Sequence, residues 1–183
     1  MVALFFNNAN THKNMEDKTN LTAQEGVEKL KDLVDDIKIC LFCTHLKTNY
    51  GSTARPMAAQ EVDDEGNLWF FSGLDSDKNR EIKQDKHVQL FFSDPNKSSY
   101  LVVNGEAQEV IDHDKFEKYW SPLVKIWFKE GKDDPNLSLI KVVPQSSYYW
   151  DVDGNRMINF LKMIASVATG TNLVTSEQGS ITV

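Results

Sequence analysis

The chain lacks any run of the roughly 20 consecutive apolar residues that a membrane-spanning helix needs. The apolar opening Val2-Ala3-Leu4-Phe5-Phe6 is too short for a signal peptide and has no basic start. Positive charge is also in deficit. Against 20 lysines and arginines stand 27 acidic residues, for a net charge of −7. Such a chain repels phosphate backbones, which argues against a general nucleic-acid or anionic-membrane role. It leaves room for a local basic pocket around one phosphorylated ligand. Cysteine is scarce: Cys40 and Cys43, in a Cys-Leu-Phe-Cys run, are the whole complement. The run sits inside an alternating apolar stretch, and strand positions three apart face opposite sides, so the two sulfurs are expected to diverge. No second such pair and no histidine pair completes a zinc site. We expect two core thiols of a cytoplasmic protein. The histidines, His12, His45, His87 and His113, are scattered.

What is present suffices for one domain of 183 residues. Residues 1–20 are polar and without period, and read as a disordered leader to a domain spanning 21–183. Thr22 and Glu25 have capping-box spacing, and Val27, Leu30, Leu33, Val34 and Ile37 follow at helical intervals. The period then changes to two, predicting a strand over 37–45 buried on both faces. Further strands are expected over 53–62, 68–72, 87–93 and 100–110, with Gly105 at a bulge. Ser76 is a good cap for a short helix reaching Lys83, and Asp112 for a segment carrying Phe116, Tyr119 and Trp120. Ser121-Pro122 suggests a helix restart bearing Leu123, Ile126 and Trp127, with Trp120 and Trp127 on one face. Strands over 137–143 and 146–151, split at Pro144, then a turn at 153–155, a helix over 157–167 and a last strand at 181–183 complete the reading. The expected fold is mainly β within an α+β frame: a six- to seven-stranded antiparallel barrel with flanking helices.

Two segments carry candidate chemistry. Arg55-Pro56-Met57 puts a proline in a strand, which marks an edge or bulge, beside an arginine whose planar fork suits phosphate oxygens. The run Phe71-Ser72 through Ser76-Asp77-Lys78 ends a strand in a hydroxyl, then caps a helix with another hydroxyl and places a lysine in its first turn. Free N–H groups, a hydroxyl and a cation together make a phosphate site. Taken singly, each feature also fits a solvated charge or an ordinary helix cap. Paired carboxylates at Asp63-Asp64 and Asp133-Asp134 fall in turns.

In their order and spacing these segments resemble the pyridoxamine 5′-phosphate oxidase-like flavoproteins, most closely the general stress protein 26 branch, over roughly residues 21–183. Further marks are Trp120-Ser121-Pro122, Trp127-Phe128, Asp133-Asp134-Pro135-Asn136-Leu137 and Tyr149-Trp150-Asp151. The resemblance implies a split β-barrel homodimer with FMN, or alternatively FAD, in two clefts between subunits. It implies that Arg55, Ser76 and Lys78 contact the flavin phosphate and that the strand around Pro56 and Met57 runs beside the ring. Phe71 and Ser72 would line the flavin, with Asp77, Tyr100 and Trp150 in the same site. Tyr100 stands where oxidases of the family carry a glutamine. The oxidases' C-terminal signature of tryptophan, arginine, histidine and arginine is kept at Trp150 and Arg156 but replaced by Ile158 and Phe160. An isoleucine offers no hydrogen bond, so vitamin B6 phosphate oxidation is the weaker alternative. A cofactor-free or haem-binding barrel, relying on His45 or His87, is another.

Overall fold

Periodicity dictates the first element. The computed structural model describes residues 23–46, 51–97, 99–151 and 156–161. Helix α1 (Ala23–Ile37) turns Val27, Leu30, Leu33 and Val34 inward, and three of these enter the main core. It stops without glycine: Lys38 takes φ 63°, and its N–H closes on the Val34 carbonyl at 2.7 Å. The chain then runs straight into β1 (Ile39–Thr44).

Strands β2 (Thr53–Val62), β3 (Leu68–Gly73), β4 (His87–Asp94), β5 (Ser99–Val110) and β6 (Leu137–Asp151) follow. Their order is β3-β2-β1-β4-β5-β6, and β3 pairs with β6 to close a six-stranded antiparallel barrel. Closure covers the outer edge of β3 where it pairs with β6. Strand β7 (Arg156–Leu161) adds to the far half of β6, outside the ring. Inside, Phe42 meets Phe70 edge to face at 5.3 Å, amid Leu90, Leu101, Val103 and Ile140, all fully buried.

Among the described residues three α-helices flank the ring. Helix α1 lies at the end where β1 begins. Helix α2 (Asp77–Gln84) contributes Ile82 to the core and bonds to Thr44, at the end where β1 stops. Helix α3 (His113–Tyr119), capped by Asp112, covers a second cluster with Trp69, Phe116, Phe128 and Leu139. Among the described residues no helix is long and apolar enough to cross a membrane.

Five expectations need correction. First, β1 is not buried on both faces along its length: on the outward face Ile39 is 58% and Leu41 51% exposed, and Cys43 is buried. A sheet rolled into a barrel has one inside, and the other face stays bare unless something covers it. Second, the strand through Pro144 is not split. Asn104 faces Ser146 but Gly105 faces Pro144, so Gln145 is an extra residue on β6 and the strand continues past it. The bulge expected at Gly105 is therefore real, and a Cβ there would come within 2.5 Å of the Val143 carbonyl oxygen. Third, Ser121-Pro122 starts no α-helix, only a 3-10 turn at Val124–Ile126. Fourth, Trp120 and Trp127 therefore share no helical face. Trp120 packs on Phe71 at 6.1 Å, whereas Trp127 is 82% exposed. Fifth, the helix expected from Met157 is strand as far as Leu161, because pairing with β6 overrides an ambiguous apolar pattern. The expected leader, the turn at 153–155, the remainder of that helix and the strand at 181–183 lie outside the described residues.

Candidate functional site

The site begins with a pairing that stops. Strand β2 pairs with β1 from Thr53 to Ala58. On its other side it meets β3 only at Ala59, Glu61 and Val62. Beyond Phe70, strand β3 stays with β6 through Gly73 and leaves β2 behind. A gap opens, with the backbone of residues 54–58 along one side. Ala59 N–H donates to Lys38 O at 2.9 Å, on the β1 side. Alternation then turns the peptide groups of Ala54, Pro56 and Ala58 toward the gap. Pro56, which has no N–H, thus sits where a ladder bond is missing anyway.

Helix α2 stands at the end of this gap. Ser76 caps it, with Oγ accepting from Asn79 N–H at 3.3 Å. The loop before it is clamped by Asn136. Leu74 N–H donates to the Asn136 carbonyl (2.8 Å), Asp75 N–H to its side-chain oxygen (3.0 Å), and the Asn136 amide donates to the Asp75 carboxylate (2.7 Å). The Asp-Asp-Pro-Asn-Leu motif, which leads into the neighbouring strand β6, therefore holds the cap loop.

Arg55 points inward on the same register row as Phe42. Its Nη1 donates to Thr44 Oγ1 at 2.8 Å and its Nη2 to Glu81 Oε2 at 2.6 Å. Thr44 also donates to Glu81. Burial pushes the Glu81 carboxyl up, but the bonds from Thr44 and Arg55 outweigh it and hold the group below its ordinary value. Lys78, half-buried one turn from Glu81, is depressed by burial and then by the Arg55 charge. Asp75, Asp77 and Glu81 act the other way, more weakly. Two cations are thus close enough to repel, and of the two Glu81 contacts Arg55. A dianionic group placed between them would relieve both.

Ser72 and Ser76 join through a residue that sequence reasoning missed, Asn79, which is fully buried. Ser72 Oγ lies 2.5 Å and Ser76 Oγ 3.0 Å from its side-chain oxygen. Glu81 was missed as well. Its link to Arg55 spans 26 positions and leaves no local pattern. Asn79 had one faint signal, since a polar amide three residues after a serine cap has capping-box spacing.

Of the residues expected from sequence, Arg55, Ser72, Ser76 and Lys78 come together. Asp77 opens α2 but turns its carboxylate to Arg80. Pro56 faces outward and Met57 packs on the barrel core. Phe71 faces away from the barrel interior, among Phe116, Trp120 and Phe128 at 6.1–6.5 Å. Tyr100, 39% exposed, lies on the outward face three register rows from Arg55 and pairs through its backbone with Trp150. In this chain neither Phe71 nor Tyr100 joins the Arg55 group. His45, at φ 57°, lies 3.9 Å from Glu81, and His87 is held by Asp85 at 2.6 Å. The described residues hold no cluster of three metal-ligating side chains. Both cysteines are free and buried, and burial pushes the Cys40 thiol far up, which makes it unreactive.

Residues 25–173 match the family model described as pyridoxamine 5′-phosphate oxidase like. The chain belongs to the pyridoxamine 5′-phosphate oxidase-like family. A curated relative, protein bli-3 of Neurospora crassa, is 25% identical over 172 residues, covering 88% of this chain and 80% of its own. Two solved structures share the family's split barrel at lower identity. A Clostridium acetobutylicum protein related to general stress protein 26 of B. subtilis matches with a TM-score of 0.62 and 20% identity, over 75% of this chain and 95% of its own. The general stress FMN/FAD binding protein of Xanthomonas citri matches at 0.56 and 22%, over 86% and 94%.

Proposed function

We propose that the protein is an FMN-binding flavoprotein of the general stress protein type. The observation that carries this reading is Arg55 and Lys78 beside the capped first turn of α2, at the end of a gap where no strand pairs with residues 54–58 of β2. The pair suits a terminal phosphate. The backbone of residues 54–58 alternates donors and acceptors, with the donor at Pro56 deleted, and suits the polar edge of a flavin ring. The family and the Xanthomonas citri neighbour's FMN/FAD description support the same ligand class. FAD is the alternative flavin. A bound flavin would supply redox chemistry at its ring, while this chain's residues bind and orient it. Oxidoreductase turnover on a small molecule is the enzyme reading. Vitamin B6 phosphate oxidation is disfavoured by Ile158 and Phe160, two apolar residues on β7.

We further propose a homodimer. Ile39, Leu41, Phe91 and Tyr100 are exposed on one outward face, and Leu41 and Phe91 are register partners there. Free buried thiols fit a reducing, cytoplasmic setting.

The deciding experiment is a titration of purified protein with FMN, followed by flavin absorbance and fluorescence. Binding at micromolar FMN is expected. Riboflavin should bind more weakly, and changing Arg55 and Lys78 together to alanine should erase that difference. Absence of binding at micromolar FMN, or equal losses for FMN and riboflavin in the double variant, would overturn the reading.

A further inference from the structure

Asn79 sits at the crossing of four elements, and its side chain has no spare bonding capacity. Its amide nitrogen donates to Glu109 Oε2 on β5 at 2.6 Å and to Ser138 Oγ on β6 at 3.3 Å. Ser138 in turn donates to the Ser72 carbonyl at 2.9 Å. The Glu109 carboxylate only accepts, so the atom facing it must be the amide nitrogen. The oxygen then faces Ser72 and Ser76. An amide oxygen cannot donate, so each hydroxyl can donate to Asn79, and the two hydroxyls, 3.3 Å apart, can also donate to one another. Ser76 Oγ accepts from Asn79 N–H, and its own proton has two acceptors inside the network, Asn79 Oδ1 and Ser72 Oγ. A phosphate dianion offers only acceptors. The cap hydroxyl in this arrangement therefore gives it nothing.

We propose, on the basis of the FMN reading above, that Asn79 is the positioning residue of the phosphate end of the site. It ties the first turn of α2 to β3, β5 and β6. It also commits the protons of Ser72 and Ser76 inward, so that the phosphate is held by Arg55, Lys78 and the first backbone amides of α2. Asn79 touches no ligand itself. It fixes where the amides and the Lys78 stem stand.

Two coupled substitutions test this role. Asn79→Asp puts a carboxylate against Glu109 and breaks the network. Adding Glu109→Gln restores the link to β5 with the polarity reversed, without the bond to Ser138 or the Lys83–Glu109 ion pair: the introduced glutamine amide would donate to the new carboxylate, whose other oxygen still accepts from the serines. The net charge of the pair is unchanged. FMN and riboflavin dissociation constants are to be measured for the full-length protein and each variant. N79D should lose tenfold or more in FMN affinity with riboflavin changed less than threefold, and the N79D/E109Q double variant should recover most of that loss. Should N79D fail to fold, Asn79→Ala, which removes the bonds without adding charge, carries the same FMN-against-riboflavin comparison. Ser76→Gly, which keeps most of the capping stability, should leave FMN affinity within threefold. Equal losses for both ligands, no recovery in the double variant, or a tenfold FMN loss in S76G would each overturn the proposal. Failure of the unmodified protein to bind FMN would instead remove the flavin reading on which it stands.

Discussion

The Arg55 guanidinium and the Glu81 carboxylate meet at 2.6 Å, joining β2 to α2 across the mouth of the barrel. Both side chains are largely shielded from water, so the pair is a positioned contact rather than a loose surface one. Arg55 is thereby aimed before any ligand arrives, and that arrangement depends on protonation.

Glu81 is held below its ordinary carboxyl value of 4.5 in the folded chain. A depressed carboxyl contributes stability that is fully present above the unfolded value and is lost as pH falls through the folded one. Urea midpoints measured from pH 7 down to pH 3 should therefore fall more steeply below about pH 4.5 in the unmodified protein than in Glu81→Gln. Parallel curves would show that the pair contributes no pH-linked stability.

Lys78 is depressed by burial and by Arg55, so part of the barrier to its charging is lifted when a phosphate arrives. FMN binding favours the charged form and takes up a proton wherever the free lysine is neutral. Affinity should decline as pH rises through the lowered lysine value toward 10.5, while Lys78→Arg, which stays charged, should hold level over that range. Titrations at pH 7, 8, 9 and 10 by flavin fluorescence check this. An equal decline in both proteins would assign the effect elsewhere.

Leu41 and Phe91 face outward as register partners. Leu41→Glu together with Phe91→Glu should convert the protein from dimer to monomer in sedimentation velocity. On an uncovered face the same changes would shift stability by only about 0.5 kcal/mol or less and leave the oligomer unaltered.

Gly105→Ala brings a methyl against the Val143 carbonyl, at the 2.5 Å approach that glycine permits. Neither atom can turn aside, since both backbones are fixed by the β5–β6 ladder. A loss of about 1–3 kcal/mol is expected from such overpacking, read as a lower thermal midpoint. An unchanged midpoint would mean that the bulge yields.

Local chemistry explains which features are legible in the sequence. The span of β2, the caps at Ser76 and Asp112, and the bulge at Gly105 each follow from a few neighbouring residues. Arg55 and Lys78 are legible as residue types that suit phosphate, and the family pattern supplies their relation. The remainder depends on contacts distant in sequence. Pro144 reads as a strand end until Gly105 is found opposite it. Residues 156–161 read as helix until β6 is known to extend far enough to pair with them. Asn79 looks like an ordinary helical residue, because its partners Glu109 and Ser138 lie 30 and 59 positions away. Outward exposure of Ile39 and Leu41 follows from closure of the ring, which no alternation within β1 can announce.

The peptide groups of Ala54, Pro56 and Ala58 that line the gap are also a sheet edge with no strand beside it, where the Ala58 carbonyl accepts from the Gln60 amide at 2.9 Å; such an edge is a template on which a foreign strand can add. Pro56 subtracts one donor from that template, and its ring stiffens the segment. Whatever fills the gap completes the protection, by taking up the remaining bonds. Loss of the occupant would then be felt first as self-association, and only afterwards as loss of chemistry. Turbidity on storage, compared between Pro56→Ala and the unmodified chain, would report on the stretch of β2 that the ring pairs on one side only.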